Sequence, residues 1–142
     1  MMEYSQTGLH LTEQFESCRL AAYLDSKGVA TIGWGHTFGV ELGDTCTQAQ
    51  ADTWLLQDVQ WAAAVVNAKV AVPLTQGEFD ACADLVFNIG SHHWSDSTAL
   101  RLLNQGDYAG AAKAFEMWDK SGGQVVAGLL RRRIAEEQEF NQ

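Results

Sequence analysis

Proline is almost missing from this 142-residue chain, Pro73 being its single example, and no Gly-, Ser- or charge-rich stretch forms a low-complexity tract. A disordered, collagen-like or linker-rich chain is excluded, because those chains owe their character to such compositions. Cysteine is scarce and odd in number: Cys18, Cys46 and Cys82 leave one over under any pairing and show no CxxC spacing. Three free thiols are expected from that, in a reducing compartment, with neither a disulfide framework nor a zinc site. Basic residues number nine against 18 acidic ones, a net charge of −9. The acid excess is even, three basic against eight acidic residues in 1–70 and six against ten in 71–142, and the one basic run is Arg131–Arg133. Affinity for nucleic acid and for anionic membranes rests on basic contacts to phosphate, so no nucleic-acid partner is expected. Long apolar runs are missing too, and Glu3, Glu13 and Glu16 mark the first 16 residues. Neither a secretory signal nor membrane insertion is expected there.

What is present suffices for one core, since 46% of the residues are hydrophobic and a chain of this length buries most of its unfolded surface. A first helix is predicted from about Ser5 to Cys18, with Ser5 as cap and Leu9, Leu11 and Phe15 as apolar positions. From Ala21 to Gly35 the helical period gives way to a hairpin whose turn carries Asp25. Gly33, Gly35, Gly39 and Gly43 then punctuate a loop region. Thr47-Gln48-Ala49-Gln50 is a capping box that opens a long helix, with Ala51, Trp54, Leu55, Ala62, Val65 and Val66 on its apolar face. A second capping signal at Thr75 opens a helix through Phe79, Cys82, Ala83, Val86 and Phe87, ending near Gly90. Helices follow at Ser97–Leu103, at Asp107–Trp118 and, after a break at Gly122-Gly123, at about Val125–Phe140. The reading is α+β, mainly α: one domain over 1–142. A hairpin lobe occupies about 17–46, a helical part takes up about 1–16 and 47–142, and a cleft lies between them.

Glu16, Asp25 and Thr31 fall at a helix end, on a turn and on the next strand, where a sharp chain reversal brings them to one cleft wall. Two carboxylates in unlike environments can divide acid and base work at a glycosidic bond, one donating a proton and the other activating water. On a chain with 18 acids such a pair is by itself a weak signal.

The order of short motifs is more specific. Phe15-Glu16, Arg19-Leu20, Ala22-Tyr23-Leu24-Asp25, Gly28 and Thr31-Ile32-Gly33-Trp34-Gly35-His36 are followed by Leu74-Thr75-Gln76, Phe87-Asn88-Ile89-Gly90, Ser97-Thr98, Leu100 and Trp118. The series closes with Gly128-Leu129-Leu130-Arg131-Arg132-Arg133 and Glu136. Over nearly its whole length the chain thus resembles the phage-type lysozymes, the endolysins with which bacteriophages open the bacterial wall. The resemblance implies a lysozyme-like fold and hydrolysis of the β-1,4 bond between N-acetylmuramic acid and N-acetylglucosamine in peptidoglycan glycan strands, with no cofactor and no metal. It also implies an enzyme that waits in the host cytoplasm and is released by a holin to act on the wall, and the acidic surface and lack of a linker make a monomer the expectation. Carried over by position, Glu16 is similar to the general acid, Asp25 to the carboxylate that orients or activates water, and Thr31 to its hydroxyl companion. An inverting outcome, which the family implies, needs about 6.5 to 9.5 Å between the carboxylates to admit a water.

Phe87 and Asn88 are similar to the family's cleft positions and, with Trp34 and Ser97, make up the candidate substrate-binding set. Trp34, between two glycines, fits core or sugar platform equally, and helical spacing lets Phe87 pack in the core. Trp54, Trp61 and Trp118 are expected in the core by the same spacing. Asp58 on an apolar helix face needs a partner, and the resemblance places it with His36, so a partly buried ion pair is expected. His92 and His93 read as a surface loop rather than a metal site. Of Arg131, Arg132 and Arg133, two are expected on a solvated face beside Glu136 and Glu137, and one is left to reach Glu16 or anionic muramyl groups. The family usually has glycine after the acid, where this chain has Ser17. Reduced activity is expected if that position needs positive φ. Two other readings stand beside hydrolysis: a catalytically silent wall-binding domain on the same fold, and a lytic transglycosylase that uses one acid and leaves an anhydro end.

Overall fold

The computed structural model describes all 142 residues. Helix α1 (Gln6–Phe15) starts where the Ser5 hydroxyl accepts the Gly8 N–H, satisfying one of the donors that a helix start leaves free. It stops at Phe15, earlier than expected, because Glu16 turns to extended backbone (φ −100°, ψ 138°). Strands β1 (Arg19–Leu24) and β2 (Ala30–Gly33) form the antiparallel hairpin, pairing Arg19 with Gly33, Tyr23 with Thr31 and Leu24 with Ala30. The chain after β2 returns to the hairpin at a bridge between Ala21 and Thr45.

Thr47 caps α2 (Gln48–Asp58) with the reciprocal bonds of the capping box. The single long helix expected here is two helices: α3 (Gln60–Lys69) follows after Val59, whose ψ of −12° departs from the helical repeat. The bend turns Trp61 outward. It is 42% exposed rather than in the core, and Trp54 is half-buried against the His36 ring.

Helix α4 (Gln76–Ile89), opened by a second capping box at Thr75, is the axis of the helical part. Every residue from Phe79 to Val86 is buried, because α1, α3, α8 (Ala127–Phe140) and the short α5 (Ser91–Ser95) all pack on it. Helices α6 (Thr98–Asn104) and α7 (Tyr108–Ala114), with a 3-10 turn over Phe115–Trp118, complete the bundle. Trp94 lies on α5 and is fully buried. Between the 3-10 turn and α8 runs a second hairpin, β3 (Lys120–Ser121) and β4 (Gln124–Val125), where the sequence indicated only a helix break. Gly122 and Gly123, at φ +60° and +81°, supply the two positive-φ positions that a two-residue hairpin turn requires. No helix is long and apolar enough to cross a membrane.

Candidate active site

Glu16 stands where α1 gives way to the hairpin, its backbone N–H still bonded to the Thr12 carbonyl at 3.1 Å. That places it in the chain between the helical part and the hairpin, and it remains partly exposed. The Arg132 Nη1 of α8 donates to Glu16 Oε1 at 3.0 Å, and no protein donor reaches Oε2. Glu16 lines a cleft of about 510 Å³ together with Phe15, Asn88, Val126, Leu129 and Arg132. Its wall thus comes from α1, α4 and α8.

Behind Glu16 the bundle buries charge. Arg132 donates through Nε and Nη2 to the two oxygens of Asp84, each at 2.9 Å, a bidentate pair between side chains almost closed to solvent. Thr12 donates to Asp84 Oδ1 at 2.7 Å and shares a short hydrogen bond with the Tyr4 hydroxyl. Burial pushes the Asp84 carboxyl up, but hydrogen bonds from Glu136, Arg132 and Thr12 and the Arg132 charge outweigh it and hold it at about 2. Glu136 goes the other way: burial, a hydrogen bond to Asp84 and the Asp84 charge raise it well above the usual carboxylate range. Arg133 is buried beside it, with Nη2 donating to Glu136 Oε2 at 2.8 Å and Nη1 to the Trp118 carbonyl at 3.2 Å.

Asp25 and Thr31 belong to the hairpin and are not among the residues that line this cleft with Glu16, contrary to the expectation of one shared wall. Asp25 Oδ1 accepts the backbone N–H groups of Lys27 and Val29 at 2.8 and 2.9 Å, which fixes the turn. Thr31 is 3% exposed and donates to the Val29 carbonyl at 2.9 Å. Strand register sets Thr31 opposite Tyr23, two residues before Asp25.

The lobe is tied to α2 at three points. His36 Nδ1 lies 2.8 Å from Asp58 Oδ2, where the ring nitrogen donates and the carboxylate accepts, and the imidazole stacks on Trp54 with centroids 4.7 Å apart. Trp34, half-buried, donates its indole N–H to Asp52 Oδ1 at 2.8 Å. Gly33, at φ +64°, sits so close to α2 that a Cβ there would lie 3.1 Å from that of Ala51.

The other candidates separate. Asn88 is exposed on the cleft wall with Glu16, whereas Phe87 is half-buried against the core with its ring 6.1 Å from that of Trp61. Ser97 is 4% exposed and its hydroxyl is committed locally, accepting the Leu100 N–H at 3.0 Å and donating to the Trp94 carbonyl at 2.7 Å. It is the cap of α6, with no hydroxyl face left toward a ligand. His92 and His93 are exposed on α5, not on a loop, and the His93 ring stacks on Trp118. No group of three or more His, Cys, Asp or Glu could hold a metal ion, and the three cysteines are unbridged.

Two expectations are corrected. Arg131 alone of the three arginines is solvated, since Arg132 is 4% and Arg133 0% exposed. Ser17 carries no positive φ, because only glycines adopt one in this chain, so the proposed backbone strain beside Glu16 is absent. The role of Asp84 was missed by sequence reasoning. The available signal was a carboxylate amid Cys82, Ala83, Leu85 and Val86, together with arginines and Glu136 at helical spacing on α8.

The family model described as phage lysozyme matches residues 13–136. The endolysin of Acyrthosiphon pisum secondary endosymbiont phage 1 is 42% identical over 143 aligned positions, covering 98% of each chain. The endolysin of Salmonella phage P22 is 41% identical and covers 94% of each. Among solved structures, the muramidase domain of SpmX from Asticaccaulis excentricus superposes with a TM-score of 0.95 at 36% identity, over 100% of this chain and 99% of that one.

Proposed function

The chain belongs to the phage lysozyme family, and on that premise we propose that it hydrolyses the β-1,4 bond between N-acetylmuramic acid and N-acetylglucosamine in bacterial peptidoglycan. The observation that carries the reading is Glu16: a carboxyl lining a cleft of about 510 Å³, held through one oxygen by Arg132 with no protein donor on the other. Protonated Glu16 gives its proton to the glycosidic oxygen as the bond to the anomeric carbon breaks. A water positioned by Asp25 and Thr31 attacks that carbon and passes its proton to Asp25, so that one water is added across the bond. Asn88 lines the approach of the glycan, Phe87 packs behind it against the core, and Trp34 supports the hairpin that carries Asp25 and Thr31. Ser97 acts through the fold rather than by touching sugar. The domain over 1–142 works as a monomer, held in the host cytoplasm until a holin gives it access to the wall.

Elimination by Glu16 alone, the lytic transglycosylase reaction, is favoured by one observation: Asp25 Oδ1 is already engaged by two backbone N–H groups. Product mass separates the readings. Clearing of chloroform-permeabilised Gram-negative cells is expected for the parent protein and not for Glu16→Gln, with reducing glycan ends one water heavier per cut. Anhydromuramyl ends would replace hydrolysis by elimination, and no clearing by a folded parent would leave a wall-binding domain.

A further inference from the structure

We propose that Asp84 is a positioning residue for Glu16, fixing through the Arg132 guanidinium which oxygen of that carboxyl faces the substrate. The inference rests on the reading of Glu16 as the acid. It starts from the way Arg132 divides its donors. Two go to Asp84, Nε to one oxygen and Nη2 to the other, and only Nη1 goes to Glu16. A planar fork held at two points cannot rotate to offer Glu16 a second bond. Asp84 is itself anchored by Thr12, which sits one helical turn before Glu16 on α1. The connections therefore close a ring, from α1 to α8 through Glu16–Arg132, to α4 through Arg132–Asp84, and back to α1 through Asp84–Thr12.

Without the Asp84 charge, Arg132 would be free to take both Glu16 oxygens and would stand beside the acid uncompensated. Both changes oppose proton delivery, the first by occupying Oε2 and the second by favouring the ionised carboxyl. The charged groups facing Glu16 are few: Arg132 in contact, Asp84 behind it on α4, Glu136 and Arg133 farther along α8, and exposed Arg131 on the cleft rim. Glu136 lies 3.9 Å from Arg132 Nε and is the one neighbour able to take up a lost negative charge.

A double-mutant cycle on Asp84→Asn and Arg132→Gln, built in a Glu136→Gln background to prevent that substitution of charge, tests the proposal. On soluble peptidoglycan fragments, Asp84→Asn is expected to lower kcat by about ten- to a hundredfold with KM little changed, the scale of a misplaced catalytic group. The alkaline limb of its pH–rate profile moves to lower pH, which a merely structural role would not produce. Arg132→Gln falls at least as far, and the double variant is no worse than Arg132→Gln alone, because Asp84 then has nothing to act through. An unmoved limb, or losses that multiply in the double variant, would overturn the proposal. The double variant removes one charge of each sign and keeps the fold if Asp84→Asn does not, so its comparison with Arg132→Gln still decides. Should the parent cleave nothing, it is the functional reading that fails. NMR titration of the labelled Glu16 carboxyl then tests the positioning alone: a lower midpoint in Asp84→Asn supports it and an unchanged one sinks it.

Discussion

Residues 17–46 bury only Thr31, Ile32, Gly33 and His36, whereas α4 alone buries every residue from Phe79 to Val86. The lobe leaves Leu20, Leu24, Val29, Phe38 and Leu42 exposed, Phe38 to 90%, while the bundle encloses even its arginines. The lobe and the bundle are therefore stabilised by different means. The bundle has its own core and holds Glu16 from behind through a closed set of charge-assisted hydrogen bonds. The lobe, too small for a core, borrows its stability from α2 through His36, Trp34 and Gly33. On the proposed reading, a proton donor gains from being fixed, while a lobe without its own core can yield to a polymeric substrate without disturbing it.

The largest expected effect tests the bundle side. Phe79 is fully buried within the 21-residue apolar cluster, so Phe79→Ala leaves a cavity and costs about 3–5 kcal/mol. Urea unfolding followed by tryptophan fluorescence reads it, with the lobe melting in the same transition because α2 has lost its support. A lobe that kept its own transition would show that it has a core of its own.

The next effect belongs to the buried charges. Asp84 is held at about 2 against an ordinary 3.8, so it stabilises the native state above pH 4, and about 2 kcal/mol is lost as pH falls from there through its folded value. Glu136 has the opposite sign: its raised carboxyl favours the fold below the ordinary 4.5, and that contribution is lost as pH climbs toward its folded value. Glu136→Gln, which mimics the protonated form, is expected to flatten the decline of stability above pH 4.5, and Asp84→Asn the decline below pH 4. Urea midpoints across pH check both; slopes identical to the parent's would mean that the charges are not coupled to folding.

The same contrast explains what was legible in the sequence. Capping boxes at Thr47 and Thr75 and the turn at Asp25 are local signals, readable because their partners lie within four residues. The order of motifs fixed the family and with it the fold. The bend at Val59 was not legible, since an apolar period continues through it and only packing separates α2 from α3. Nor was the division of Arg132 between Glu16 and Asp84, which spans 116 and 48 positions of sequence. Contacts of that range depend on how three helices meet, and the three arginines looked alike from their neighbours alone. For Ser97, a serine before an apolar helix fits a cap or a ligand contact alike from sequence, and the structure shows the cap bond.

The smallest effect is the sharpest test of the lobe's dependence on α2. His36→Asn removes a stacked ring, Trp54 loses its partner, and Asp58 keeps at most an amide donor in place of the imidazole nitrogen. The cost should be about 1–2 kcal/mol, since one hydrogen bond to a carboxylate and one stacking contact are involved. It should also be local. The amides of Ala22 and Cys46, which bond Asp44 and Leu20 within the lobe, are expected to exchange faster with solvent, while those of α4 keep their protection. Equal loss of protection in α4 would mean that the lobe and bundle open only together, and the contrast between a self-supporting bundle and a dependent lobe would fall with it.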